Sequence, residues 1–197
     1  MDFKFFLGIT AAVLLVGSFI PYFQGMVRGH TQPHSYTWLI WAITQSLAAL
    51  AIYEGGGGML AAISVGLVAI MSLAVFVFSV RMSRSHLHVF DKFILVIALI
   101  ATGVWWFFDH PVYAVFMISF IDGIGFIPTY RKTYTAPETE SLAPWILYLL
   151  GNLFALGALD VYNLLTTLYI TTMIIASAIL LMIILGRRQR YFDNDLF

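Results

Sequence analysis

Seven long apolar runs dominate this chain, and they constrain its fold more than any other feature. Each is close to the length of about 20 residues that a helix needs to cross a bilayer. Each is also continuous, whereas membrane β-strands alternate polar and apolar residues. The runs therefore predict seven transmembrane helices, with approximate bounds Phe5–Val27, Thr37–Tyr53, Met59–Val80, Phe90–Phe108, Val112–Tyr130, Pro144–Leu159 and Tyr162–Leu185.

Composition supports a membrane location and excludes several classes of site. Of the 197 residues, 61% are hydrophobic and only 10% are charged, against about a quarter charged in soluble domains. The ten basic and ten acidic residues cancel, so no net field indicates nucleic acid as a partner. The absence of cysteine excludes disulfides, thiolate metal sites and cysteine nucleophiles.

Basic residues are distributed unevenly between the two sides of the predicted bundle. Lys4 is the one basic residue on the N-terminal side, and nine of the ten lie opposite: Arg28, Arg81, Arg84, Lys92, Arg131, Lys132, Arg187, Arg188 and Arg190. The positive-inside rule then predicts a multi-pass integral membrane protein with the N-terminus outside and the C-terminus cytoplasmic. The N-terminal run shows no clear cleavage site, so it is interpreted as a retained helix rather than a signal peptide.

The tripeptide Phe-Ile-Pro occurs twice, ending at Pro21 and at Pro128, which lie 107 residues apart. Each copy follows an apolar run and precedes a short basic stretch. A tryptophan, Trp38 or Trp145, follows 17 residues later in both cases. Chance matching of two apolar stretches explains this shared order poorly, so the sequence predicts an internal repeat of three helices.

Three helices is an odd number, so a second copy that followed directly would be inverted in the membrane. A lone helix between the copies restores the orientation and makes the repeats parallel. The prediction is an all-α membrane protein with seven transmembrane helices in a 3+1+3 arrangement. Its parts are a first three-helix repeat at 1–83, a linker helix at 84–109, a second repeat at 110–189 and a cytoplasmic tail at 190–197. Transporters with such repeats bind substrate at the repeat interface near the midplane.

This layout resembles the SWEET and PQ-loop superfamily of seven-helix membrane carriers. The resemblance lies in the 3+1+3 plan and in a proline near the cytoplasmic end of the first and fifth helices, here Pro21 and Pro128. The family's Pro-Gln dipeptide is not kept, since Tyr22 and Thr129 follow the prolines, so the chain resembles a divergent member. The resemblance implies a carrier of sugars or amino acids or, as in the KDEL receptor, a receptor for cargo.

Asp122 lies midway along the fifth predicted span, in FMISFIDGIGFIP. A carboxylate at bilayer depth costs about 2.5–3.5 kcal/mol on insertion scales, so it should face a cavity rather than lipid. Loss of hydration disfavours its charged form, which suits a proton-coupling site. In cystinosin-like members an aspartate in this general region couples to protons, and the resemblance implies the same role. The alternative is a structural hydrogen bond between helices. The 107-residue shift places Leu15 at the equivalent position.

Four further residues are predicted to bind solute, as two pairs related by the same shift. Gln45 and Asn152 lie midway along the second and sixth spans, where an amide offers two donors and an acceptor. An interhelical hydrogen bond is the alternative. Trp41 and Tyr148 lie one turn from the cytoplasmic ends of those spans and are placed to stack on a sugar or a base. Their alternative is the aromatic belt of the membrane interface.

The predicted gate consists of Pro21 and Pro128, which each remove a backbone hydrogen bond and kink a helix, with Gly123 and Gly125. The two glycines permit either close helix approach or local unwinding. The tryptophans that start the second and sixth spans are predicted to anchor the chain at the membrane interface: Trp38 and Trp145.

Together these features predict a transporter of a small polar solute, such as a sugar, an amino acid or a nucleoside, that works by alternating access. It is either a uniporter or coupled to protons through Asp122. A non-transporting cargo or sorting receptor is the alternative. The sequence contains no HExxH, no GxSxG and no paired intramembrane carboxylates, so no enzyme, metal site or cofactor is predicted. The predicted partners are the solute and membrane lipid, with self-association left open.

Overall fold

The structure, a computed structural model, describes residues 3–29, 33, 35–82, 93, 96, 100, 103, 111–135 and 137–194. Its regular elements in that part of the chain are all helical. They are α1 (Phe3–Val27), α2 (Ser35–Glu54), α3 (Met59–Met82), α4 (Pro111–Thr135), a 3-10 turn (Pro137–Thr139), α5 (Leu142–Gly157) and α6 (Leu164–Asn194). Within the predicted span Phe90–Phe108 and the predicted linker at 84–109, residues 93, 96, 100 and 103 are described and the others lie outside the described residues.

The outward faces of the helices are apolar, as lipid requires. Four helices (α1, α3, α4 and α6) are long and apolar enough to cross a membrane, and α5 is apolar but shorter. Mid-helix side chains point outward, with Val13 65%, Ile70 59% and Ile175 60% exposed. A water-soluble bundle would bury these side chains. The chain is therefore an all-α membrane protein.

Polar side chains lie inside instead. The buried set comprises hydroxyls, amides and one carboxyl drawn from all six helices: Ser18, Ser35, Thr44, Gln45, Ser64, Ser72, Ser79, Ser119, Asp122, Thr133, Asn152, Thr166 and Ser177. Many of the hydroxyls donate to a carbonyl three or four residues earlier in their own helix, which satisfies them locally. Among the exceptions, Ser72 donates to Gln45, and the Ser119 hydroxyl has no partner among the described residues.

Contacts between helix ends establish the relative directions of the helices. At one end, here called the lysine end, the Lys4 ammonium of α1 donates to the carbonyl of Leu159, just after α5, at 2.7 Å. At the other, here called the arginine end, Arg187 Nε of α6 donates to the carbonyl of Tyr134 of α4 at 2.9 Å. Helices α1, α3, α4 and α6 thus run from the lysine end to the arginine end, while α2 and α5 run back.

The helices form two triplets that pack in the same order. In the first, α3 contacts both α1 and α2, and in the second α6 contacts both α4 and α5. Among the described residues, the backbones of α1 and α2 do not approach each other closely, nor do those of α4 and α5. The triplets meet mainly where α1 packs along α5, with a smaller contact between α2 and α4.

The last helix is longer than the sequence suggests. It continues to Asn194, although the apolar run ends at Leu185, so residues 190–194 of the predicted tail are helical. Contacts at the arginine end support the extension. Arg187 lies 4.3 Å from the centre of the Tyr134 ring, and Arg188 Nε donates to the carbonyl of Pro137 at 3.3 Å.

Candidate functional site

A cavity lies between the two triplets, in the half of the bundle nearer the arginine end. Residues from all six helices line it: Ser18, Phe19, Tyr22, Trp38, Trp41, Gln45, Val68, Phe126, Pro144, Trp145, Tyr148 and Met173. Its volume is about 40 Å³, which is room for a few water molecules. The described conformation therefore leaves little free space between the lining side chains.

Seven of the lining side chains form a continuous aromatic cluster: Phe19, Tyr22, Trp38, Trp41, Phe126, Trp145 and Tyr148. Trp38 is central on one side, 4.8 Å from Tyr22 and 5.1 Å from Trp41 between ring centroids. The cluster crosses between triplets where Trp41 meets Phe126 at 5.6 Å. These distances are typical of favourable aromatic pairs, so the cluster joins the two triplets at this depth.

Three of the five predicted binding residues line the cavity: Trp41, Gln45 and Tyr148. Asn152 is buried but does not line it, and its Nδ2 donates to the carbonyl of Tyr148 in its own helix at 2.8 Å. Asp122 is also outside the lining and fully buried beside it. The binding roles of all five remain predictions.

The interface-anchor prediction is wrong for Trp38. Its side chain is only 8% exposed, because the start of α2 packs its indole against Tyr22 and Trp41 instead of pointing it toward headgroups. Trp145 is half-buried and also lines the cavity, and its Nε1 donates to Glu140 at 3.2 Å. Belt positions and lining positions look alike in the sequence, since both occur near helix ends.

Asp122 is held by a residue that the sequence analysis missed. The Tyr169 hydroxyl of α6 donates to Asp122 Oδ2 at 3.0 Å, and both side chains are buried. Tyr169 lies five residues after Leu164, whereas Asp122 lies eleven after Pro111. Counting from the helix starts therefore does not indicate that these two side chains meet.

The other carboxyl oxygen, Asp122 Oδ1, has no hydrogen-bond partner among the described residues. The Thr44 hydroxyl faces the carboxyl, but its hydrogen is directed at the carbonyls of Ile40 and Trp41, at 3.1 and 3.2 Å. A protonated carboxyl carries its own hydrogen, so the neutral form of Asp122 needs fewer donors around it than the carboxylate does.

Gln45 connects this buried carboxyl to the cavity. Its Oε1 accepts a hydrogen bond from Ser72 at 2.8 Å, and its side chain lies near the Tyr169 hydroxyl. Because Gln45 lines the cavity, a chain of polar groups runs from the cavity through Gln45 and Tyr169 to Asp122. Such a network is sensitive to the charge at either end.

The four predicted gating residues lie within unbroken helices. Pro21 is inside α1, and α4 continues through Gly123, Gly125 and Pro128. A Cβ built at Gly125 would lie 3.2 Å from Trp41 Nε1, so this glycine provides the space in which the indole sits. In the structure, Gly125 thus allows the Trp41 indole to approach α4 closely. The hinge roles of the four residues remain predictions.

We expect Gly125→Ala to displace the Trp41 indole by a few tenths of an ångström and to cost about 1–2 kcal/mol of stability through overpacking. The measurement is near-UV circular dichroism with thermal unfolding of the purified chain. Gly123→Ala is the matched control, because its Cβ would meet Thr172 at an ordinary 3.6 Å. Identical tryptophan spectra for the two variants would contradict this packing account.

At the lysine end the two triplets are joined by a set of polar contacts, here called the latch. The Lys4 ammonium lies 3.8 Å from the Asp160 carboxylate, in addition to its bond to Leu159. From the second triplet, Asn163 Nδ2 donates to the carbonyl of Gly55 at 2.7 Å. Asp160 N donates to the carbonyl of Gly57 at 3.0 Å. The bundle is thus closed at the lysine end.

No protein-family model, no curated protein and no solved structure matches this chain. Functional assignment therefore depends on the geometry of the cavity and its surroundings. In the described part of the chain, no group of three or more acidic or histidine side chains is arranged to hold a metal ion. All five histidines lie outside the described residues.

Proposed function

We propose that this chain is a membrane carrier for a small polar solute that works by alternating access, with Asp122 as its proton-coupling group. The observation that carries the proposal is the cavity between two similarly packed triplets, linked through Gln45 and Tyr169 to a fully buried carboxyl. An intramembrane ionisable residue of this kind marks a functional site by default.

The proposal includes seven helices in a 3+1+3 plan with parallel repeats. In its support, α3 ends at the arginine end and α4 begins at the lysine end, so the chain between them must cross back. That segment is long enough for a spanning helix, and its described positions Phe93, Val96, Ile100 and Gly103 are helical. The positive-inside rule then places the lysine end outside and the arginine end in the cytoplasm.

Packing between the triplets supports the 107-residue register of the proposed repeat. Under this shift Asp122 corresponds to Leu15, and Thr44 corresponds to Gly151. Asp122 faces Thr44, and Leu15 packs directly on Gly151, whose Cβ would lie 2.7 Å from Leu15 Cγ. Equivalent positions thus meet in both halves, one pair polar and the other apolar, which limits the coupling group to one half.

In the proposed cycle the described conformation is closed outside by the latch and leaves little free space in the cavity. Rocking of one triplet against the other opens the latch or widens the arginine end in alternation. Protonation places a hydrogen on one oxygen of Asp122, so that oxygen no longer needs a donor. The resulting change in hydrogen bonding reaches the cavity wall through Tyr169 and Gln45.

The direct experiment is solute flux into proteoliposomes that contain the purified chain, with a panel of labelled sugars, amino acids, nucleosides and small amines. We expect saturable uptake of at least one class, increased by an inward proton gradient. Binding without flux would favour the cargo receptor, and neither binding nor flux by folded protein would overturn the proposal.

The latch provides a separate prediction for Lys4→Met, which removes the bonds to Leu159 and Asp160. We expect the outward-open population to rise about three- to tenfold, because one net hydrogen bond contributes about 0.7–1.4 kcal/mol. Since the chain has no cysteine, Ser64→Cys, at a fully buried position near the lysine end, serves as a reporter for a water-soluble maleimide.

Lys4→Arg is the control for this test, because it keeps the charge and the donors. Val161→Cys reports on an already exposed site at the same end and should react equally in both backgrounds. An unchanged labelling rate at Ser64→Cys in the Lys4→Met background would show that the latch does not hold the lysine end closed.

A further inference from the structure

We propose that the cavity selects an organic cation, specifically a small solute bearing a quaternary or otherwise alkylated ammonium group. This inference rests on the proposed carrier function and names its substrate class. Three features of the cavity favour such a solute: the arrangement of its rings, the existing hydrogen bonds of its polar groups and the sign of the neighbouring charges.

Most neighbouring rings of the aromatic cluster are steeply inclined to one another, while Trp41 and Phe126 are tilted by 35°. Interplanar angles are 83° for Trp38 and Trp41, 59° for Phe126 and Trp145, and 82° for Trp145 and Tyr148. A flat nucleobase is held best between parallel faces. Rings that surround a space at steep mutual angles form a box, and aromatic boxes recognise alkylated ammonium groups through cation–π attraction.

Three of the polar groups that line the cavity already bond within the protein. Ser18 Oγ donates to the carbonyl of Leu15 at 2.6 Å, and Gln45 Oε1 accepts from Ser72 at 2.8 Å. The Trp145 indole N–H is directed at Glu140. A sugar entering this space would lose its hydrogen bonds to water and find few free partners, which is costly. An alkylated ammonium has little need of hydrogen bonds, so this lining suits it better.

The charged groups nearest the lining aromatic residues are mostly acidic. Glu140 bonds to Trp145 and lies close enough to Tyr22 to act on its hydroxyl electrostatically. Asp122 acts in the same way on Tyr148 from the other side. The basic neighbour is Arg188, whose guanidinium bonds to the backbone carbonyl of Glu140. Acidic side chains on two sides of the box lower the energy of a cation inside it.

The test compares choline with its neutral isostere 3,3-dimethylbutan-1-ol, in which a carbon replaces the ammonium nitrogen. Both are titrated against the purified full chain by thermal stabilisation and tryptophan fluorescence, and labelled choline is followed into proteoliposomes. We expect saturable choline uptake and at least about tenfold tighter binding of choline than of the isostere. Equal affinity for the two would overturn the proposal.

Trp41→Phe and Trp41→Leu test the box itself, because tryptophan is the best cation–π partner and leucine is none. The choline-to-isostere affinity ratio should fall in the order Trp, Phe, Leu. If Trp41→Leu does not fold, the ratio for Trp41→Phe decides, since a merely structural role would change both affinities alike. An unchanged ratio would overturn the proposal.

The outcomes also separate this inference from the carrier proposal. Flux of sugars, amino acids or nucleosides, with no uptake of choline or tetramethylammonium, would overturn the cation proposal and leave the carrier intact. Absence of flux for every solute by folded protein would overturn the carrier and the substrate class together.

Discussion

Replacing Asp122 by asparagine should abolish proton-driven accumulation of the solute while leaving exchange without a gradient. One proton moving down one pH unit releases about 1.4 kcal/mol, enough for about a tenfold concentration ratio. The wild-type chain should therefore accumulate solute about tenfold per pH unit if one proton is coupled, and the variant should reach no more than equal concentrations. Accumulation in proteoliposomes at imposed pH gradients measures this.

The physical reason is that asparagine resembles the protonated carboxyl. Its oxygen can still accept from Tyr169, and its NH₂ can donate to Thr44, so the variant should fold. Glu54→Gln is the matched control, because it removes an exposed carboxylate at the end of α2. If the variant fails to fold, the structural role of Asp122 is favoured. If the variant still accumulates solute, Asp122 is not the proton-coupling group.

Some glycines within the helices pack against a helix of the other triplet. Among alanine substitutions of these glycines, Gly151→Ala should cause the largest loss of stability. Its Cβ would lie 2.7 Å from Leu15 Cγ, 2.8 Å from Leu15 Cδ2 and 3.0 Å from the Leu15 backbone nitrogen. A side chain can rotate away, but the α1 backbone can yield only if the two helices separate. We expect a loss of about 2–3 kcal/mol in the free energy of unfolding, the upper range for overpacking, measured by thermal or denaturant unfolding.

Two comparisons make this prediction specific. Gly66→Ala introduces the same methyl group at 3.7 Å from Ala49 Cβ and should be nearly neutral. Leu15→Ala combined with Gly151→Ala removes the two side-chain clashes and should recover part of the stability, while the clash with the Leu15 backbone remains. A Gly151→Ala chain as stable as Gly66→Ala would show that α1 and α5 do not pack this closely.

The pairing of Leu15 with Gly151 explains why the two inter-triplet contacts differ. Glycine against leucine allows α5 to lie along α1, which gives the more extensive contact. The corresponding pair, Asp122 and Thr44, keeps polar groups between α4 and α2, where the contact is smaller. In the proposed repeat, the contact between α1 and α5 is thus closely packed and apolar, and the contact between α2 and α4 contains the titratable Asp122.

The sequence indicated many residues of the candidate site, but it did not indicate which of them line the cavity. An aspartate within an apolar span predicted a carboxyl that faces a cavity, because lipid excludes charge; Asp122 is fully buried but does not line the cavity. Gln45 and Trp41 line the cavity with Tyr148. Asn152 bonds within its own helix instead, since an amide can satisfy a nearby carbonyl as readily as a ligand.

The sequence alone determined that the chain builds apolar helices, because bilayer-length hydrophobic runs leave backbone groups no better way to form hydrogen bonds. Tertiary structure alone decided that Trp38 packs inside and that Tyr169 reaches Asp122. It also decided that the lysine end is closed. Those outcomes depend on how each helix is rotated about its axis and on how far its side chains reach toward helices distant in the chain. The hydrophobicity of a single segment specifies neither the rotation nor the reach.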